Sequence, residues 1–506
     1  MDTAAAATSA GSRTLGVRAI LWVAALLIAG LGFTRAIGTW IDQIELPLDL
    51  VLESPSLATL ELLRADRNPY APEVYAEPPF WMTMYTPLYY QLVAALPSHP
   101  ENPFFTGRIV DLACVAGLLA LLFWVRDADR ALALLGCGAY VLVRVVINNG
   151  ALFKNDFLGI LLSALAVVVA DRARGRTAWI VGAALIAAIA FWCKQSMLAA
   201  AAACGLFFLL QSWRAAWVFG GTFVLTAGSL LGGALALWGQ GFWFSVFQAP
   251  QNPLNGDVFR GLWLEMLIQP VAMLNLLAAF GFIAWATAKR GKQAWSSDPF
   301  ALYAVISAVV LMATVGKQGA GANYFNEWEF ASLLVLVRWV PAWIDSWRPV
   351  IAAASFASVF LVLSIVEVVI AKPNQYSYTT SEITPHAVQF SADVSARITA
   401  LGGPSPKVLN LYSASITGAF PGEVHLNDPF LYALLWQAGK LDPERVFAAI
   451  RERTYDIVIV PPDMLSGVYN TPPDMLRPLR RNYAFAERIP MFDRAFDVLV
   501  RRTGAK

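Results

Sequence analysis

Long stretches of this chain are apolar with no polar interruption. The first, opening on "AILWVAALLIAGLGF" at residue 19, runs for about 20 residues, the length that crosses a bilayer. Further runs centre near residues 114, 139, 163, 184, 204, 227, 274, 307, 335 and 360, which predicts roughly eleven transmembrane helices. A cleaved signal peptide has a shorter apolar core followed by a small-residue cleavage site, so the first run reads as an uncleaved span. From about residue 372 the pattern changes. "KPNQYSYTTSEITPHAVQF" is polar, and beyond it strand-like runs ("KVLNLYS", "YDIVIV", "FDVLV") mix with a helical "DPERVFAAIRERT". The expected fold class is an α-helical polytopic membrane protein over residues 1–371, carrying a small soluble α/β domain over 372–506.

Composition agrees: 58% of the 506 residues are hydrophobic and 14% charged, where a soluble domain carries about 25%. The net charge of +2, with no long Lys/Arg run, leaves no polyanion-binding surface and argues against nucleic acid as a partner. Cys114, Cys137, Cys193 and Cys204 lie in or beside apolar runs with no ligand spacing, and read as buried thiols rather than disulfides or metal ligands. His99, His386 and His425 are equally scattered, and no Walker motif, GxSxG elbow or HExxH occurs.

Charge decides sidedness, because short basic loops stay cytoplasmic. With the N-terminus inside, "RDADR" at 126, "DRARGR" at 171, "SWR" at 212, "AKRGK" at 288 and "DSWR" at 345 all fall inside. The first intervening loop, about 41–85, carries Asp42, Glu45, Asp49, Glu53, Glu61, Asp66, Glu73 and Glu77 against Arg64 and Arg67, and reads as outside, with the C-terminal domain. "NNGALFKND" (148–156), "CKQS" (193–196), "QAPQNPLNGD" (248–257) and "GKQGAGANYFNEWE" (316–329) fall on the same outer face. Candidate chemistry therefore concentrates at the outer membrane boundary.

Asp49 and Glu53 are four residues apart, a spacing that lets both converge on a helix or a strand. They are either acids of a solvated outer loop or carboxylates placed for general-base chemistry. Ser54-Pro55 looks like an N-cap and first helical proline opening "PSLATLELLRAD", whose leucines at 57, 60 and 63 make a stripe suited to the interface. Lys154, Lys194 and Lys317 each sit at the outer end of an apolar run, where they snorkel to the head groups or gather around one phosphate. Asn155 and Asp156 beside Lys154 could neutralise it locally. The glycines of 316–321 allow close approach of backbone to a ligand. "PPFWMTMYTPLYYQL" (78–92) is an aromatic belt, or a surface for a sugar ring or isoprenoid chain.

Together, the acidic first outer loop with its Asp/Glu pair, "NPY", "YTPLYYQL", "FKND", "CKQS", "GANYFNE" and the outer α/β domain with "LNDPF" resemble the bacterial polyprenyl-phosphate-sugar-dependent glycosyltransferases of the GT-C fold, the group of the protein O-mannosyltransferases and the lipid A aminoarabinose transferase. The resemblance covers most of the chain in layout, through short motifs. It implies a sugar transfer, inverting at the sugar, from a polyprenyl-phosphate donor to a glycan, lipid or protein acceptor on the outer face of the bacterial inner membrane. It implies Asp49 as catalytic base, with Glu53 as second candidate or orienting partner. Lys154, Lys194 and Lys317 become donor-phosphate contacts, and Tyr85, Asp156, Gln195, Asn323, Tyr324 and Glu327 substrate-binding residues. No cofactor is required by it, and a divalent metal is left open because some members use one. The adjacent Asp-Glu of some relatives is here the wider "DLVLE", which leaves the choice of base between Asp49 and Glu53. The rival readings are a transporter or lipid flippase, which would bring internal repeats and mid-span charges, and a non-catalytic assembly or sensor protein.

Overall fold

The computed structural model describes residues 2–47, 49, 52–370, 383–413, 420–466, 473–491 and 494–502. Every apolar run of the sequence is a helix: α1 (Asp2–Glu45), α5 (Phe105–Leu122), α6 (Arg130–Leu142), α8 (Asp156–Arg172), α9 (Thr177–Cys193), α10 (Ala199–Gln211), α11 (Trp213–Trp243), α13 (Pro270–Arg290), α15 (Pro299–Thr314), α16 (Asn326–Ser346) and α17 (Pro349–Ile370). Short helices join them: α2 (Ser54–Arg64), α3 (Pro72–Ala76) and α4 (Leu88–Ala94) in the first outer loop, then α7 (Arg144–Asn149), α12 (Gly256–Leu267) and α14 (Gln293–Ser296). Five segments, Leu15–Glu45, Phe105–Leu122, Trp213–Gln248, Pro270–Arg290 and Pro349–Val369, are long and apolar enough to cross a membrane, and four more apolar helices are shorter. The chain is a multi-pass membrane protein.

Local chemistry starts and stops these helices. Asp129 caps α6, Ser212 α11, Asn255 α12 and Asp298 α15, each accepting a backbone amide of the first turn. Gly291, at φ 55°, ends α13. The bundle closes tightly where α1 crosses α6. A Cβ placed on Gly138 would sit 2.6 Å from the Ala29 nitrogen, so only glycine admits this approach of backbones.

The C-terminal sheet has the order β2-β1-β3-β5-β4, with β1 (Lys407–Asn410) parallel to β2 (Glu423–His425) and β3 (Ile457–Val460), and β5 (Arg494–Arg501) antiparallel to β3 and β4 (Tyr483–Met491). Ile457–Val460 is buried throughout, as a strand covered on both faces requires. Val394 and Ile398 of α18 (Ile383–Gly402) cover one face. Residues after α19 (Pro429–Gln437), chiefly Val446, Phe447 and Ile450 of α20 (Glu444–Arg451), cover the other, and α21 (Pro473–Asn482) precedes β4. The strands read from "KVLNLYS", "YDIVIV" and "FDVLV" are β1, β3 and β5, and β2 and β4 lie between them. The boundary set at 371/372 falls outside the described residues.

This domain is seated on the first outer loop. Tyr75, Phe80 and Met82 share its apolar core, Leu426 N–H donates to the Pro79 carbonyl (2.8 Å), and Tyr432 Oη donates to that of Tyr75 (2.8 Å).

Candidate functional site

α2 begins at Ser54 with Pro55 in its first turn, but the serine hydroxyl makes no capping bond. Asp49 caps it instead, from four and five residues upstream: Oδ1 accepts from Glu53 N–H (2.9 Å) and Oδ2 from Ser54 N–H (2.6 Å). The chain turns between them through Leu52 at φ 57°, a conformation costly for a leucine and one that concentrates at functional sites. Burial, and next the Glu53 carboxylate, raise the Asp49 acid to about 6 against the pull of those amides.

Glu53 has a different environment. Its carboxylate forms a fully buried two-pronged ion pair with Arg108 of α5, Nε to Oε1 at 2.9 Å and Nη2 to Oε2 at 2.5 Å, and accepts the Phe153 amide at 2.6 Å. Arg108 also donates to the carbonyls of Gln43 and Leu46. This cluster ties the end of α1, the start of α2, α5 and the "FKND" loop together. Sequence reasoning passed over Arg108, although an arginine inside an apolar span signals a required partner.

"FKND" and "CKQS" are held in register by Asn155, whose amide donates to the Cys193 carbonyl (3.2 Å). Asp156 then opens α8 while Lys194, in extended conformation, ends α9. Lys194 Nζ lies 2.6 Å from Asp156 Oδ1, which also accepts from the Asn323 amide at 3.1 Å. The rings of Tyr85 and Tyr324 stand 5.1 and 6.0 Å from the same ammonium, a cation–π arrangement. Burial pulls the Lys194 ammonium down, but the Asp156 carboxylate, Tyr85 and Tyr324 together outweigh that pull and favour the charged lysine.

Asp156, Lys194, Asn323, Tyr324 and Glu327 line a cavity of about 40 Å³, space for two or three waters. Glu327 accepts from Tyr303 Oη at 3.0 Å. Lys154 lies within the fields of Asp156, Glu53 and Asp49, yet its ammonium forms no ion pair among the described residues. Burial lowers it, and those three carboxylates oppose the shift. Lys317 is bridged by its backbone to Leu254, and among the described residues its side chain makes no ion pair with Asp156, the partner of Lys194.

Four elements fix the segment that carries Tyr85. Met82 N–H donates to Asn427 Oδ1 (3.1 Å), Thr83 pairs with Thr59 of α2 (2.8 Å), the Met84 carbonyl accepts from Gln195 (2.9 Å), and that of Tyr85 from Tyr70 Oη (2.8 Å). Gln195 spends its amide on this carbonyl and that of Val246. Among the described residues no three His, Cys, Asp or Glu side chains gather in a metal-holding group.

No protein-family model and no curated protein sequence matches the chain. Solved structures do. ArnT from Cupriavidus metallidurans in the apo state is similar at TM-score 0.59 and 11% identity, over 93% of this chain and 97% of that one. The same protein bound to undecaprenyl phosphate is similar at TM-score 0.56 and 10% identity, over 93% and 97%. The apo oligosaccharyltransferase of Archaeoglobus fulgidus is similar at TM-score 0.51 and 11% identity, over 94% of this chain and 73% of that one. The chain thus has the GT-C fold that its sequence resembles.

Proposed function

We propose that this protein is a glycosyltransferase that takes a sugar from a polyprenyl-monophosphate donor and passes it to a hydroxyl of an envelope glycan, lipid or protein at the outer face of the bacterial inner membrane. One observation carries the reading. A charged lysine held by a carboxylate and two tyrosines, a second lysine in no ion pair among the described residues, and a carboxylate raised to about 6 lie together at the ends of apolar helices. That combination suits an anionic leaving group and a hydroxyl nucleophile. The neighbour that binds undecaprenyl phosphate, a polyprenyl phosphate, supports the donor class.

In this reading Asp49 takes the acceptor proton as the oxygen attacks the anomeric carbon. The carbon–oxygen bond to phosphate breaks, its electron pair leaves with the phosphate, and Lys194 and Lys154 offset the charge that develops there. A single in-line displacement inverts the sugar. The cavity is too small for a sugar, so donor entry parts the Lys194–Asp156 pair or swings Tyr324 aside, and the phosphate replaces the carboxylate as the lysine's partner. Lys317, on the glycine-rich loop that leads to Asn323, is assigned to the rim of the donor path.

The test is release of polyprenyl phosphate from a labelled lipid-linked sugar by the purified protein. Asp49→Asn is expected to lower turnover about 100-fold or more while the protein stays folded. Donor turnover unchanged in that variant overturns the assignment.

A further inference from the structure

An apolar cavity of about 370 Å³ opens between α13, α16 and α17, walled by Leu274, Phe282 and Trp285, by Trp343, and by Phe356 and Phe360, and shares no residue with the cavity at Lys194. Phe282 ties the walls together, its ring 5.5 Å from that of Trp343 and 6.4 Å from that of Phe356. From Leu274 to Trp285 the cavity follows α13 for about 16 Å at the helical rise. That is about half of the ~30 Å hydrocarbon core, centred on the middle of α13.

The two tryptophans stand at the end where the basic loops lie. There Lys289, Arg290, Lys292 and Arg348 are exposed, with Asp345 as the neighbouring acid, and among the described residues none of the four cations is in an ion pair. Elsewhere some cations are neutralised, Arg126 by Asp171, and Arg338 by Asp127 and Asp298. Arg290 is also positioned, its guanidinium 4.7 Å over the ring of Trp339, which in turn meets Trp285 edge-on.

We propose that this cavity binds an anionic glycerophospholipid, one acyl chain in the groove between α13, α16 and α17 and its phosphate against Arg290, Lys289, Lys292 and Arg348. A lipid chain finds much the same apolarity in the bilayer as in the groove, so the groove supplies fit and the cations supply selectivity. A basic cluster directly beside membrane helices is the arrangement that recognises anionic head groups.

The test uses the full-length protein, purified and delipidated, titrated with phosphatidylglycerol or phosphatidylcholine of identical chains and read by native mass spectrometry. The wild type is expected to retain one phosphatidylglycerol at least about tenfold more tightly than phosphatidylcholine. Gly281 lines the cavity and a Cβ there meets nothing within 4 Å, so Gly281→Leu projects a side chain into the groove and is expected to remove retention of both lipids. Ser355→Leu does so from the opposite wall and carries the test if the first variant misfolds. Replacing Lys289, Arg290 and Lys292 by Gln keeps binding but brings the preference below about twofold. Equal retention of the two lipids by the wild type, undiminished binding in both filled variants, or one-for-one displacement by polyprenyl phosphate overturns the proposal.

Discussion

Asp49 and Glu53 share a chemistry and lie one helical turn apart, yet their surroundings separate them. The Asp49 oxygens accept the Glu53 and Ser54 backbone amides and make no ion pair among the described residues, while those of Glu53 are committed to Arg108 and Phe153. A base raised to about 6 loses its function when protonated. Turnover is therefore expected to be flat above that value and to fall as pH drops through it, as a pH profile of kcat/KM on the lipid-linked donor would reveal. An acid limb centred near ~4, where an unperturbed carboxylate titrates, would contradict this. Glu53→Ala strands a buried guanidinium and is expected to cost about 3–5 kcal/mol of stability, read as a large drop in the thermal transition. The milder Glu53→Gln lowers stability less and leaves the folded fraction active. A Glu53→Gln protein as stable as wild type but inactive would make Glu53 the base instead.

Among the helices, the contact of α1 with α6 decides where the first outer loop begins, because α1 leads straight into it. Gly138 admits that contact at a separation no Cβ tolerates. Gly138→Val is expected to force the helices apart at a cost of about 1–3 kcal/mol or more. Since α1 ends at Glu45, four residues before Asp49, activity should fall more than the loss of folded protein accounts for. Thermal melts and specific activity measured on one preparation check this. Activity that follows the folded fraction alone would confine the role of this crossing to stability.

For the molecule as a whole, the outer domain reaches the membrane part through Asn427, which holds Met82, three residues from the tyrosine over Lys194. Asn427→Ala is expected to raise KM for the donor several-fold with a smaller effect on kcat, because it loosens the wall of the cavity and not the reacting groups. An unchanged KM would limit the domain's influence to anchoring.

Much was legible in the linear pattern. Apolar runs mark every long helix before residue 371, since a bilayer demands length and hydropathy that few other contexts do, while α18 of the outer domain carries no such mark. "FKND", "CKQS" and "GANYFNE" stood out because charge at the edge of an apolar run is costly and needs a reason, and Asp156, Lys194 and Asn323 indeed meet. The GT-C layout was equally visible, carried by the acidic first loop and the outer domain. Other features needed the folded chain. Residues 53 and 108 pair across 55 positions of sequence, and the four supports of residues 82–85 come from four separate elements. Spacing along the chain reports only neighbours within a turn or two. It shows that two acids are near each other, whereas partners brought in by packing decide that Glu53 is tied up in an ion pair and that Asp49 caps α2.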